Sequence, residues 1–222
     1  MLRSLAWGLS VIFHPLLIPS YMLLLLLLIN PYLFGVSHLS DENSRMLLLL
    51  IFLYTFFIPA VSVAVMYMLG MVSSIEMPEQ QDRIGPYLIT GMLYLWVYYN
   101  FLQNGSMPPA YISFLLGTVI ALFLAFFINI FTKISAHAVG MGGLLAMAII
   151  SMRYYSYGSF TLSVRHLGTY ECSTLHLMLL ILVLTGLVGT ARLLLRAHEP
   201  QQVYGGYLVG FLAQFLALRF IF

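Results

Sequence analysis

From Tyr87 to Thr132 the chain carries no charged side chain and no histidine. That stretch is too long for one membrane crossing and too apolar to fold in water, so it constrains everything around it. Only 7% of the 222 residues are charged and 62% are hydrophobic, whereas a soluble domain carries roughly 25% charged residues. Too little polar surface is left to cover a globule in water. The solvent for most of this chain must therefore be lipid, and its apolar runs are near the ~20 residues that a spanning helix needs.

Polar stretches and helix breakers divide the chain into seven hydrophobic spans. The first runs from about Leu16 to Leu33, behind His14-Pro15 and Pro19, where proline is tolerated at the start of a helix. Leu23 to Leu28 could be the core of a signal peptide, but no small-x-small site follows, and the segment is read as a retained helix. His14 is either an interfacial histidine or a contributor to a site. GVSHLSDENS at Gly35 to Ser44 reads as a surface loop, followed by a span from about Met46 to Met71 that Pro59 should bend. The second polar loop is VSSIEMPEQQDRIGP, Val72 to Pro86. NGSMPP at Asn104 to Pro109 then splits the uncharged stretch into helices over about Tyr87–Gln103 and Tyr111–Phe131. A fifth helix is expected from Ser135 to Met152, then a polar-aromatic loop with Arg165, His166 and Glu171. A sixth helix is expected from Thr174 to Ala197 and a last from Val203 to Phe222. Gly206-x-x-x-Gly210 in the last helix is the spacing of a close-packing face. The expected architecture is all-α: one integral-membrane domain over 1–222, a multi-pass bundle of six to seven transmembrane helices.

Counting crossings puts the loops at 72–86, 133–137 and 197–203 on one side, together with the N-terminus. On that side lie Arg83, Lys133, Ser135, His137, Arg192 and His198. Ionisable groups at membrane depth are costly and usually face a cavity where they have a use. Around His137 the small residues Ala136, Ala138, Gly140, Gly142 and Gly143 leave room for a helix or a ligand to approach the backbone. Arginine forks match phosphate oxygens and lysine adds a point charge. Histidine can attack as a nucleophile or pass a proton near neutral pH. Neither His137 nor His198 has a second histidine or a carboxylate at i+3 or i+4, so metal-ligand spacing is missing. No GxSxG motif is present, and no Asp or Glu offers itself as a triad member. A formal net charge of +2 without a basic run gives no nucleic-acid signature. The single cysteine, Cys172, excludes an internal disulfide. Phosphoryl transfer through a histidine is the chemistry this inventory fits best.

Three motifs carry a family resemblance. DRIGP at Asp82 to Pro86, ISAH at Ile134 to His137 and ARLLLRAHEPQQ at Ala191 to Gln202 follow the order KxxxxxxRP, PSGH and SRxxxxxHxxxD. Between about Ile75 and Gly210 the chain resembles the integral-membrane members of the type 2 phosphatidic acid phosphatase superfamily, with a phosphatase-like core over about 72–212. The resemblance implies that His198 is the nucleophile that forms a phosphohistidine and that His137 is the acid that protonates the leaving alcohol. It further implies that Arg83 and Arg192 clamp the phosphate. Ser135 would donate to its oxygens, with the backbone N–H groups of a helix start beside it. The pattern is not kept throughout: Ile84 and Gly85 separate Arg83 from its proline, and Ile134 and Ala136 stand where the motif has proline and glycine before His137. The motif lysine falls at Glu76, and Lys133 could replace it from another direction. The motif aspartate falls at Gln202, whose amide oxygen can hold an imidazole tautomer but cannot stabilise an imidazolium as a carboxylate does.

The expected function is thus hydrolysis of a lipid phosphate or diphosphate, with membrane lipids as surroundings and no metal or other cofactor required. The other reading is a diverged, non-catalytic member that binds anionic headgroups as a scaffold or carrier. With the site residues set aside, Arg45, Arg153, Arg165 and Arg219 lie on the opposite face and Arg3 and Arg196 on the site face. The positive-inside rule then turns the site outward.

Overall fold

The computed structural model describes residues 2–164 and 168–221, so Arg165 and His166 lie outside the described residues. The chain is a bundle of apolar helices, and six stretches among the described residues are long and apolar enough to cross a membrane. The chain begins with α1 (Leu2–Ile12) and α2 (Ile18–Ile29), joined by a 3₁₀ turn at Pro15–Leu17. The expected first helix therefore starts later than the real one. Leu2–Ile12 is itself helical and packs on a later helix, and Pro15 breaks the pair rather than opening it. Helix α2 stops at Ile29, ahead of Asn30-Pro31, because the residue before a proline is driven out of helical geometry.

The second span is α3 (Glu42–Phe52) and α4 (Ile58–Met68), joined through a π-turn at Leu53–Phe57. This is the form the irregularity expected at Pro59 takes. Pro59 has no N–H to offer the Thr55 carbonyl four residues earlier. The Tyr94 hydroxyl donates to that carbonyl instead, at 2.6 Å, with Tyr94 2% exposed and Thr55 buried. Tyr94→Phe removes that donor from a carbonyl in an apolar interior. A loss of about 1 kcal/mol is expected, read as a lower unfolding temperature in detergent. A variant as stable as the parent would show that the proline gap is filled some other way.

Next come α5 (Ile84–Asn104) and α6 (Pro109–Phe131), an antiparallel pair split by a left-handed Gly105 with φ 59°. Helix α7 (Ala136–Tyr154) runs through the middle of the bundle. The polar-aromatic segment after it is not irregular throughout. It forms an antiparallel hairpin, β1 (Ser159–Val164) with β2 (Gly168–Ser173), whose register pairs Ser159 with Ser173 and Thr161 with Glu171. Helices α8 (Thr174–Leu194) and α9 (Pro200–Ile221) complete the chain.

Helix α7 packs most extensively on α9, and α9 in turn on α6. The largest fully buried side chains include Met22, Leu23 and Leu26 of α2, Tyr111, Phe114 and Leu115 of α6, and Met141 and Met147 of α7. Apolar residues also cover the outside. Leu180, Val183 and Leu187 of α8 are 53%, 58% and 48% exposed, which would be untenable in water and is ordinary against lipid tails. The α7–α9 contact depends on missing side chains. A Cβ on Gly206 would lie 2.8 Å from both the Cβ of Ala138 and the carbonyl oxygen of Ser135. The Gly206-x-x-x-Gly210 spacing is therefore a true close-packing face, and Gly142 on α7 answers it.

Candidate functional site at one end of the bundle

Asn30, just past α2, donates its side-chain N–H to the carbonyl of Tyr155, just past α7, at 2.9 Å. The C-termini of those helices share one end of the bundle. At the other end the starts of α5, α7 and α9 are tied together. Arg83 Nη1 donates to the Ile134 carbonyl at 3.3 Å, and the Ser135 N–H donates to the Gln202 carbonyl at 3.2 Å. These two bonds join all three polar loops in which the sequence placed candidate residues.

Each loop has a local reason for its shape. The 72–83 segment is folded on itself by the Asp82 carboxylate, which accepts from the Ser73 hydroxyl and, at 3.2 Å, from the Ser73 N–H. It is fixed to the end of α6 by reciprocal amide bonds between Gln80 and Asn129, the second at 2.9 Å. Arg83 Nε donates to the Met77 carbonyl at 2.9 Å, which leaves part of the guanidinium fork for another acceptor. Ser135 caps α7, its Oγ accepting from the Ala138 N–H at 3.4 Å, and it is fully buried. Lys133, half-buried, precedes it by two residues.

Helix α8 closes with the Arg196 N–H on the Leu193 carbonyl at 2.9 Å and the Ala197 N–H on the Arg192 carbonyl at 3.1 Å. This is a Schellman arrangement whose left-handed position is held by Arg196, φ 54°, rather than glycine. The turn presents His198, 8% exposed, two residues ahead of Pro200. Helix α9 starts earlier than expected, at Pro200 rather than Val203, because proline suits the first helical position. That puts Gln202 in the first turn, four residues from His198.

Gln202 Oε1 lies 3.0 Å from His198 Nδ1 and accepts from the Glu199 N–H at 3.3 Å. A backbone N–H can only donate, so this atom is the amide oxygen and His198 Nδ1 must carry the proton. The lone pair of His198 is left on Nε2. Burial holds the His198 pKa down at about 4; the Gln202 bond opposes this, while the charges of Arg83, Arg192 and Lys133 push the same way as burial. At neutral pH the ring is therefore uncharged and its Nε2 lone pair is free.

Arg83 and Arg192 lie within reach of each other's charge, and Glu76 reaches Arg192. Arg192 Nε is buried with no hydrogen-bond partner among the described residues. His137 Nε2 lies 3.0 Å from the Ser10 carbonyl, and the ring is within reach of the charges of Arg192, His14 and His198. All six residues that the sequence placed on one side thus meet at one end of the fold. The sequence left two further residues undecided or unnamed. The His14 ring packs on His137, and its one signal is a histidine-proline pair inside an apolar run. The Tyr87 hydroxyl is buried, without a partner among the described residues and within reach of Arg83; in sequence it is one tyrosine among 15. Beside the cluster a mostly apolar cavity of about 50 Å³ lies between α2, α5, α6, α7 and α9, lined among others by Pro15, Tyr87, Ala136, Gly140 and Gln214.

Comparison of the chain with protein-family models, with curated proteins and with solved structures finds no match in any of the three.

Proposed function

We propose that this membrane protein is a lipid phosphate phosphatase that works through a phosphohistidine and belongs with the type 2 phosphatidic acid phosphatases it resembles. The observation that carries the reading is the state of His198. Gln202 holds its Nδ1 proton, its Nε2 lone pair is free, and Arg83, Arg192 and Lys133 all bear on it. Three cations around a neutral nucleophile suit a dianionic phosphate and would repel a metal ion.

In this mechanism His198 Nε2 attacks phosphorus as the ester P–O bond breaks. The bonding pair goes to the alcohol oxygen, which takes a proton from His137. Water then attacks the phosphohistidine and returns a proton to His137, and the P–N bond breaks to give phosphate and free His198. Arg83 and Arg192 hold the equatorial oxygens, with the Nε of Arg192, which has no partner among the described residues, as a ready donor. Lys133 supplies charge where Glu76 stands in the lysine position of the motif. The Ser135 hydroxyl, already accepting in the α7 cap, keeps its own proton to donate. The apolar cavity beside Ala136 and Gly140 offers room for the first carbons of a lipid chain, and the arginine distribution turns this end of the bundle outward. The test is phosphate release by the purified protein in detergent with EDTA present, using phosphatidate and an isoprenyl diphosphate as substrates. Release that survives EDTA and disappears in His137→Ala supports the reading.

One observation favours the non-catalytic alternative. Glu76 reaches Arg192 and partly cancels a phosphate clamp. Binding of anionic phospholipid without phosphate release would be its signature.

Gln202 offers a test with the opposite sign. Gln202→Glu keeps the chain length and the 3.0 Å acceptor but adds the charge that stabilises a positive imidazole. Since Gln202 already fixes the tautomer, only the charge contribution is regained. A rise in kcat of about tenfold is expected, well short of the ~10⁴ seen where an amide also sets the wrong tautomer. An unchanged or lower kcat would mean that the orienting role is misassigned.

A further inference from the structure

The break between α1 and α2 is built around a histidine that the three motifs do not contain. His14 has extended geometry, φ −61° and ψ 136°, and opens the 3₁₀ turn at Pro15–Leu17. Its Nδ1 accepts from the Leu16 N–H at 3.3 Å, so the neutral ring carries its proton on Nε2. The ring stands edge-on to His137, with centroids 5.7 Å apart and planes at 80°. Phe56 also meets this ring edge-on, at 6.3 Å and 87°. Phe56 belongs to the π-turn at Leu53–Phe57, so two irregular turns converge on this one imidazole. One helical turn before His14, the Ser10 carbonyl lies 3.0 Å from His137 Nε2. A carbonyl can only accept, so His137 Nε2 is protonated and committed to Ser10. A neutral ring so bonded has its lone pair on Nδ1, so the proton that His137 gives away is a second one, taken up on Nδ1 from the water that cleaves the phosphohistidine of the preceding turnover.

We infer that His14 is a positioning residue for proton transfer, holding His137 in the orientation that directs its Nδ1 proton to the leaving oxygen. The inference rests on the phosphohistidine reading above. The His14 ring, itself in contact with Phe56, stops the His137 ring from swinging away from Ser10. The turn that His14 caps is also what carries the Ser10 carbonyl to its place. Without the ring, His137 can rotate, exchange its two nitrogens and present the wrong one.

The experiment compares two soluble probes on the full-length protein in detergent: decyl phosphate and p-nitrophenyl phosphate. An alkoxide needs a proton to leave, whereas nitrophenolate leaves without one, so only the first reports on the acid. His14→Asn keeps an oxygen that can cap the turn and removes the ring. Expected is a fall in kcat on decyl phosphate of about a hundredfold, the low end of what general acid catalysis supplies. On p-nitrophenyl phosphate kcat should stay within about threefold, with KM little changed on both. His14→Phe, which restores a ring of similar width, should recover part of the loss on decyl phosphate. Equal losses on both probes would mean a general structural role and overturn the inference, as would no loss on either. A parent protein inactive on both probes would fail differently, removing the phosphatase reading and this inference with it.

Discussion

His198→Ala is expected to abolish phosphate release, lowering kcat by roughly a thousandfold or more while leaving lipid binding intact. The size follows from the kind of step removed. A residue that only binds the ground state raises KM when lost; one that forms the covalent intermediate takes nearly the whole rate with it. Alanine leaves Arg83, Arg192 and Lys133 in place, so the anion site should still hold a phosphate headgroup. Two measurements separate the proposals. Rapid acid-free quenching of the parent protein with labelled substrate should trap a phosphoryl group that is stable to base and labile to acid, and the alanine variant should trap none. Phospholipid binding should be nearly equal in both. If the parent traps no adduct and releases no phosphate while binding lipid well, the chain is a headgroup-binding relative and not an enzyme. If the alanine variant keeps its rate, His198 is not the nucleophile, however well its geometry fits.

The sequence makes the bundle legible because lipid imposes a simple rule. A span must be apolar over about 20 residues, and interruptions such as NGSMPP have no place inside it. Loop convergence was legible for the same reason: crossings alternate, so three well-separated polar segments could be assigned to one side. Periodicity could not resolve the ends. Leu2–Ile12 is too short to span by itself and lies ahead of the helix expected from Leu16, and only packing on α8 makes it part of the bundle. Pro200 reads as a terminator of the helix before it or as the first residue of the next. Here it is the latter, and Gln202 reaches His198 because of it. The hairpin around Glu171 does carry a strand signal, since Ser159–Val164 alternates polar and apolar residues as Ser-Phe-Thr-Leu-Ser-Val, but the polar and aromatic content of the segment reads as a headgroup-level loop and hides it. His14 was left undecided because its meaning lies in a contact across 123 positions of sequence, and no local pattern encodes that.

Gly210→Ala should damage the fold more than any other single methyl group. A Cβ on Gly210 would run into the Val139 carbonyl oxygen and lie 2.8 Å from the Gly143 nitrogen. Those atoms are backbone, so no side-chain rotation can make room and α9 must move off α7. Overpacking of this kind costs about 3 kcal/mol or more. The same two helices carry Ser135, His137 and Gln202, and the Ser135 N–H to Gln202 carbonyl bond spans the contact one turn above. Activity should therefore fall together with stability. Gly205→Ala is the control: the same substitution on the same helix, with nothing within 4 Å of the new methyl. Its only effect should be the better helix propensity of alanine, less than about 1 kcal/mol and stabilising if anything. Thermal unfolding in detergent, followed by helical content and by size-exclusion profile, distinguishes the pair. A Gly210 variant as stable as its Gly205 neighbour would show that α7 and α9 are not in backbone contact. The meeting of His137 and His198 at one end of the bundle would then lose its support.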